Sequence, residues 1–296
     1  MKVVFFGTPT FAAVFLKGLI DNTDFEVVGV VTQPDESVGR KKILTAPPVK
    51  ELALAHDLPV LQPTKLKDET FQAQIKEFGA DVGVVVAYGR ILPESLMKLL
   101  PHGFINVHPS LLPKYRGPSP IIAAIAGGDD QTAVTIMKLV QGMDAGPILA
   151  QKKIAVDPIE TPDSLTSKVV ELGVPLLLQT LKAYVAGDIE PREQDHTQAT
   201  FCKLLTRQDG VIDWSESAEN IERKVRAFYP WPGTSTKDFK IYKARASDNK
   251  LDPGAEQIDN DRLFIGTSTT ALEILELQPA GGKRMSTADY LRGRHV

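Results

Sequence analysis

Short apolar runs that alternate with helical patterns leave this chain few folds to choose from. Residues 3–6 (Val-Val-Phe-Phe) read as a buried strand, apolar throughout as parallel strands covered on both faces are. Gly7-Thr8-Pro9 turns the chain, and residues 11–20 carry Phe11, Val14, Phe15 and Leu19 at helical spacing. Residues 25–32 read as a second strand, 49–56 and 67–78 as helices with a short strand at 59–61 between them, and 81–87 as another buried strand. This alternation predicts an α/β domain with a Rossmann-like, mostly parallel sheet and right-handed crossovers. The first turn holds one glycine, too few for the Gly-x-Gly-x-x-Gly pattern that lets backbone approach a pyrophosphate.

In an open sheet of this kind, ligands bind at the carboxyl ends of the strands. Phe104, Ile105 and Val107 form a strand after the break at residues 101–103, and Pro109 ends it because proline cannot donate to a ladder. Residues two apart on a strand share a face, so Asn106 and His108 emerge side by side. An amide donor beside an imidazole can stabilise a developing oxyanion and move a proton. The pair also fits a satisfied core histidine beside a turn asparagine. Asp144 follows a strand expected at 133–140, within Gly142-Met143-Asp144-Ala145-Gly146, where a lone aspartate also fits a turn-former.

Two more loops leave carboxyl ends. Pro34, Gly39, Pro47 and Pro48 bracket Arg40-Lys41-Lys42, giving a long polar loop over 33–48. Three adjacent charges suit a solvated turn, but structureless loops of this length tend to be functional or disordered. Tyr88-Gly89-Arg90-Ile91-Leu92-Pro93 leaves the strand at 81–87, and Ile91 and Leu92 there fit helix-start packing.

Further on, residues 118–127 read as a helix, 147–156 as a strand and 162–186 as a long helix with Leu165, Val169, Leu172 and Leu176 on one stripe. Pro175 inside it suggests a kink or a break. Residues 190–205 are polar with few apolar clusters, the best linker between a first domain at 1–189 and a second at 206–296. The second has a helix at 217–228 along Ile221, Val225 and Phe228, then short strands at 239–244, 262–266 and 271–279, which suggest a small β-barrel. It carries 14 Lys or Arg and 14 Asp or Glu, and the whole chain has a formal net charge of −3. No whole-molecule basic field therefore points to nucleic acid, and any RNA binding must come from local patches. The single Cys202 excludes an internal disulfide and a cysteine metal cluster. The four apolar residues after Met1-Lys2 are too few for a signal-peptide core, and no uninterrupted apolar run reaches the ~18 residues of a bilayer span. A reducing cytosol, and no membrane, fit all of this.

Asn106-Val107-His108-Pro109-Ser110-Leu111-Leu112-Pro113, followed by Tyr115-Arg116-Gly117 and by Gln141-Gly142-Met143-Asp144-Ala145-Gly146-Pro147, resembles the central motif and Asp-bearing loop of the 10-formyltetrahydrofolate-dependent formyltransferases. The resemblance covers essentially the whole chain. It implies that an amine attacks the formyl carbon on N10 of the folate, that Asn106 and a protonated His108 donate to the oxyanion, and that Asp144 accepts a proton. Ser110, Leu111, Leu112 and Pro113 would wall the folate, and the loop of Ile91 and Leu92 would line the pterin pocket, partly through backbone groups. In family members acting on methionyl initiator tRNA, a basic loop like Arg40-Lys41-Lys42 enters the acceptor arm. A C-terminal barrel of oligonucleotide-binding (OB) type, resembled here by Trp231-Pro232-Gly233 and by residues 277–286, touches the same tRNA. Lys243, Arg245, Lys283 and Arg284 are the phosphate contacts this would imply. The resemblance implies 10-formyltetrahydrofolate as co-substrate; no metal and a monomeric state are expected alongside it. The nearest alternative is an amino-sugar N-formyltransferase, which shares Asn-x-His…Asp; the basic loop and the Trp-Pro-Gly tail argue against it. A non-catalytic RNA-binding protein and a folate hydrolase are rivals of other classes.

Overall fold

Val3, Val4, Phe5 and Phe6 are fully buried and form the middle of strand β1 (Lys2–Gly7). The structure, a computed structural model, describes residues 1–39 and 41–294. After β1 come α1 (Thr10–Ile20), β2 (Glu26–Val31), β3 (Glu36–Val38), β4 (Ile43–Thr45), α2 (Pro48–Ala55), β5 (Val60–Leu61) and α3 (Glu69–Glu77). They are followed by β6 (Val82–Val86), α4 (Glu94–Met97), β7 (Phe104–His108), α5 (Pro120–Gly127), β8 (Gln131–Lys138), β9 (Ile148–Ala155) and α6 (Pro162–Ala186).

The main sheet has the order β5-β2-β1-β6-β7-β8-β9. From β5 to β7 every pairing is parallel, and β8 then runs antiparallel to β7. The mostly parallel sheet is thus present, and β7 is the last of its parallel strands. Phe6 packs edge-on against Tyr88 and Phe104, with ring centroids 5.4 and 5.3 Å apart. The start of β7 and the loop after β6 are thereby fixed to one core, which also holds Ile75, Leu92 and Leu96.

Helix α6 runs continuously through Pro175, without the break the sequence suggests. The carbonyl that proline leaves unpaired belongs to Glu171, which is exposed, so water can satisfy it. Its best 18-residue window has a mean hydropathy of 1.4, enough by length and composition to cross a bilayer. Leu165, Val169, Leu177 and Leu181 are nevertheless fully buried within the protein.

The expected loop at 33–48 contains a hairpin, β3 against β4, with Glu36 opposite Thr45 and Val38 opposite Ile43. Gly39 (φ 71°) and Lys42 (φ 48°) turn the chain between the strands. Three-residue strands are too short to leave a periodic signal. At the base, Asp35 accepts from Gln62 (2.7 Å) and Lys50 (2.8 Å), and these contacts, Gln62 first, hold its carboxyl below the usual range.

The backbone falls into two compact units, neither contiguous in sequence. Met1–Pro118, Thr132–Ile154 and Thr166–Phe201 form the first. Ser119–Gln131, Ala155–Leu165 and the chain from Cys202 onward form the second. The polar stretch at 190–205 is anchored in part to the first, because Arg192 and Ile148 exchange both backbone hydrogen bonds, 2.7 and 2.9 Å. The second unit continues with α7 (Ala218–Ala227), β10 (Thr234–Ser235), β11 (Phe239–Ser247), β12 (Glu256–Asp259), β13 (Arg262–Gly266), β14 (Ala271–Pro279), β15 (Met285–Ser286) and α8 (Thr287–Arg294). Its strands make an antiparallel sheet of order β10-β11-β14-β13-β12, with β15 also on β14. Ser217 caps α7 by accepting from the Asn220 N–H, and Ile221 and Val225 bury against Ile241, Leu263 and Leu277. Within the same unit α5 packs on α7.

Candidate active site

All five residues of β7 are buried, and two of them are polar. Asn106 lies between Val85 of β6 and Met137 of β8, and His108 opposite Thr135. The Asn106 carboxamide has no hydrogen-bond partner among the described residues. Asn106 is 9% exposed and its amide atoms are not fully sealed from solvent, so the carboxamide is a donor that a ligand can reach. His108 is 4% exposed, and its Nε2 lies 2.9 Å from the Tyr115 carbonyl. A carbonyl only accepts, so Nε2 carries the hydrogen and Nδ1 is the free ring atom. Nδ1 faces Asp144, 3.7 Å from Oδ2, and a proton on Nδ1 would make the contact an ion pair.

Asp144 sits in a left-handed conformation (φ 46°), between Gly142 at φ 119° and Gly146. A Cβ on Gly146 would lie 1.9 Å from the Lys138 carbonyl oxygen, so only glycine lets the loop close. Asp144 Oδ2 accepts the Gly117 N–H at 2.8 Å. The turn carrying Gly117 is held by Thr200, whose hydroxyl accepts from the Tyr115 N–H and whose carbonyl accepts from the Arg116 N–H, both at 2.9 Å. One further side chain reaches both loops. Gln194 Nε2 donates to the Asp144 carbonyl (2.9 Å) and the Gly146 carbonyl (2.7 Å), while its Oε1 accepts from Arg116 Nε (3.1 Å) and Nη2 (2.7 Å).

Of the residues expected to wall a folate, Ser110 is fully buried. Its hydroxyl donates to the Lys114 carbonyl and its own carbonyl accepts from Thr135, each at 2.6 Å. Leu112 packs with Met137 and Ile148, and its carbonyl accepts from Gln151 at 3.2 Å. Leu111 and Pro113 are half-buried. The side chain of Leu92 lies in the core, whereas Ile91 is 87% exposed. Their loop is pinned by Arg90, which donates to the Pro63 and Thr64 carbonyls at 2.8 and 2.7 Å. Burial raises the pKa of the neighbouring Tyr88 hydroxyl, with Arg90 opposing.

Among the residues expected at RNA, Lys41 and Lys42 are exposed at the hairpin turn, and Arg40 lies outside the described residues. In the second unit, Arg245 pairs with Glu273, and Lys243 and Arg284 with Glu276; Lys283 is exposed. A cleft of about 390 Å³ in that unit is lined by Arg207, Tyr229, Trp231, Lys240 and Tyr242. Arg207 stacks over the half-exposed Trp231 at 5.9 Å. Among the described residues no three His, Cys, Asp or Glu side chains could hold a metal ion.

Sequence reasoning does not find Gln194 or Thr200. Arg116 stands in the Tyr115-Arg116-Gly117 motif, but its partner lies 78 residues away in a polar stretch without pattern.

Two family models match the chain: formyl transferase over residues 1–181, and the formyl transferase C-terminal domain over residues 204–295. The methionyl-tRNA formyltransferase of Roseiflexus castenholzii is 46% identical over 300 residues, covering 99% of this chain and 96% of the relative. That of Chloroflexus aurantiacus is 44% identical over 304 residues, covering 100% and 98%. Among solved structures, the sugar 3N-formyl transferase WlaRD, crystallised in the presence of dTDP and 5-N-formyl-THF, superposes with a TM-score of 0.69 at 17% identity, covering 96% of this chain and 99% of that one.

Proposed function

The chain belongs to the formyl transferase family, and from that premise we propose that it transfers a formyl group from 10-formyltetrahydrofolate to the α-amino group of methionyl initiator tRNA, a step of translation initiation in the cytoplasm. One observation carries the reading. An amide without a partner among the described residues, an imidazole and a carboxylate converge at the end of β7, in a chain 46% identical to a methionyl-tRNA formyltransferase along its length.

The α-amino nitrogen attacks the formyl carbon, and the carbonyl electron pair moves onto oxygen. Asn106 donates its amide hydrogen to that oxyanion, in a buried setting where such a bond counts for most. Asp144 takes a proton from the attacking nitrogen. His108 has its Nε2 hydrogen committed to Tyr115, so Nδ1 is the atom that exchanges a proton with Asp144 or turns it toward the oxyanion. Collapse breaks the carbon bond to N10, which takes up a proton. Ser110 to Pro113, pinned to β8 and β9, form the folate-side wall, and the backbone of the 88–92 loop lines the pterin end. On the tRNA side, Arg40 and the exposed Lys41 and Lys42 contact the acceptor arm, and the aromatic cleft with Arg207 and Lys240 offers stacking and phosphate contacts. The enzyme acts as a monomer without a metal.

The test is formyl transfer from 10-formyltetrahydrofolate, comparing methionine-charged initiator tRNA, charged elongator tRNA and a nucleotide-linked amino sugar. Selective formylation of the initiator supports the reading. Formylation of the sugar alone would keep the site and replace the acceptor, and formate release without any acceptor would make the protein a hydrolase.

A further inference from the structure

We infer that Gln194 is a positioning residue for the transfer reaction: its single carboxamide sets the Asp144 loop against the turn that orients His108. The inference rests on the proposed function and adds a residue to it.

Each end of the amide is used. Nε2 donates to two carbonyls, those of Asp144 and Gly146, which brace the loop on both sides of Ala145. Oε1 accepts a fork from Arg116. Arg116 stands between Tyr115, whose carbonyl holds His108 Nε2, and Gly117, whose N–H holds Asp144 Oδ2. Gln194 therefore links the backbone that carries the carboxylate to the backbone that aims the imidazole. It is 5% exposed, so water cannot readily take over either set of bonds. Asp144 needs such a brace, because its own backbone occupies the left-handed region and Gly142 beside it restrains nothing.

The chemistry of the position is demanding. A glutamate could still accept from Arg116, now as an ion pair, but it would turn a carboxylate oxygen toward two carbonyls that require a donor. A methionine fills the space and makes none of these bonds. Both variants release the Asp144 loop; the glutamate keeps the Arg116 contact and so isolates the donor half.

The experiment measures kcat, KM for both substrates and thermal melting of Gln194→Glu and Gln194→Met in the full chain, each also combined with Asp144→Asn. A displacement of about 1 Å at the reacting groups costs on the order of 100-fold in rate, so kcat is expected to fall by about that factor, with both KM values nearly unchanged. Because Gln194 acts through Asp144, adding either change to Asp144→Asn should cost little more than Asp144→Asn alone. A general structural defect would instead lower melting and multiply with Asp144→Asn. Wild-type kcat in a folded Gln194→Glu overturns the inference, and so does full multiplicativity in the double variants. If Gln194→Met does not fold, Gln194→Glu decides alone. Absence of transfer by the unaltered chain would remove the proposed function itself, a result distinguishable from every one of these.

Discussion

His108 Nδ1 and Asp144 Oδ2 lie 3.7 Å apart, and that same carboxylate oxygen accepts the Gly117 N–H at 2.8 Å. The other oxygen, Oδ1, accepts nothing among the described residues, which leaves it for an incoming amine. One oxygen orients the group and the other is available for chemistry.

Asp144→Asn separates those two duties. The amide oxygen can still accept from Gly117, so melting should stay close to wild type. It cannot take a proton from the amine, and kcat should fall by about 100- to 10,000-fold. Formyl transfer at saturating substrates alongside a thermal melt checks this; wild-type rates would take Asp144 out of the mechanism.

Asn106→Ala deletes the amide that has no hydrogen-bond partner among the described residues. If it serves the oxyanion, kcat should drop on the order of 100- to 1000-fold with little change in either KM. A rise in the folate KM at constant kcat would assign it to ground-state binding instead.

Neutralising the hairpin should separate the two substrates. Arg40→Ala, or Lys41→Ala with Lys42→Ala, is expected to raise the KM for charged tRNA and leave the KM for the folate donor unchanged. The salt dependence of tRNA affinity should become shallower, by about one in log–log slope for each phosphate no longer neutralised. A loss of folate affinity would place this hairpin at the wrong substrate.

Gly146→Ala forces a methyl group to within 1.9 Å of the Lys138 carbonyl oxygen, and backbone must move. Stability should fall by about 1 to 3 kcal/mol in urea unfolding. The rate should fall with it, because the same shift carries Asp144. An alanine variant with unaltered midpoint and rate would show that the loop closes more loosely.

Glu273 supplies a pH-dependent part of the second unit's stability. It is 3% exposed, and hydrogen bonds from Arg262, with help from Arg245 and against the opposing effect of burial, lower its pKa from 4.5 to about 2. Since the folded value is the lower one, the stabilisation is fully present above pH 4.5 and is lost as pH falls toward 2. The stability difference between wild type and Glu273→Gln should therefore be constant at neutral pH and shrink below pH 4.5. A difference independent of pH down to 2.5 would contradict the sign, with 2.5 being about half a pH unit above the folded pKa.

The parts legible in the sequence are those set by local rules. Apolar runs give β1, β2, β6 and β7, and the period of two puts Asn106 and His108 on one face. What escapes is set by distance or by small size. Gln194 reads as one more polar residue in an apparent linker, because its meaning comes from carbonyls that only the fold delivers. The hairpin of β3 and β4 is too short to leave a pattern. Pro175 reads as a breaker because sequence does not reveal that the residue whose carbonyl it strands, Glu171, is exposed. Ile91 and Leu92 look alike on paper, yet one points outward and the other fills the core.

The interleaving of the two compact units has a consequence for dissecting the protein. Helix α5, which packs on α7, is drawn from the middle of the chain, ahead of β8. A fragment beginning near Cys202 would contain every strand of the antiparallel sheet and still lack one of the helices that belongs with it. No single proteolytic cut releases either unit whole, and a gene split at the polar stretch would part α5 from α7.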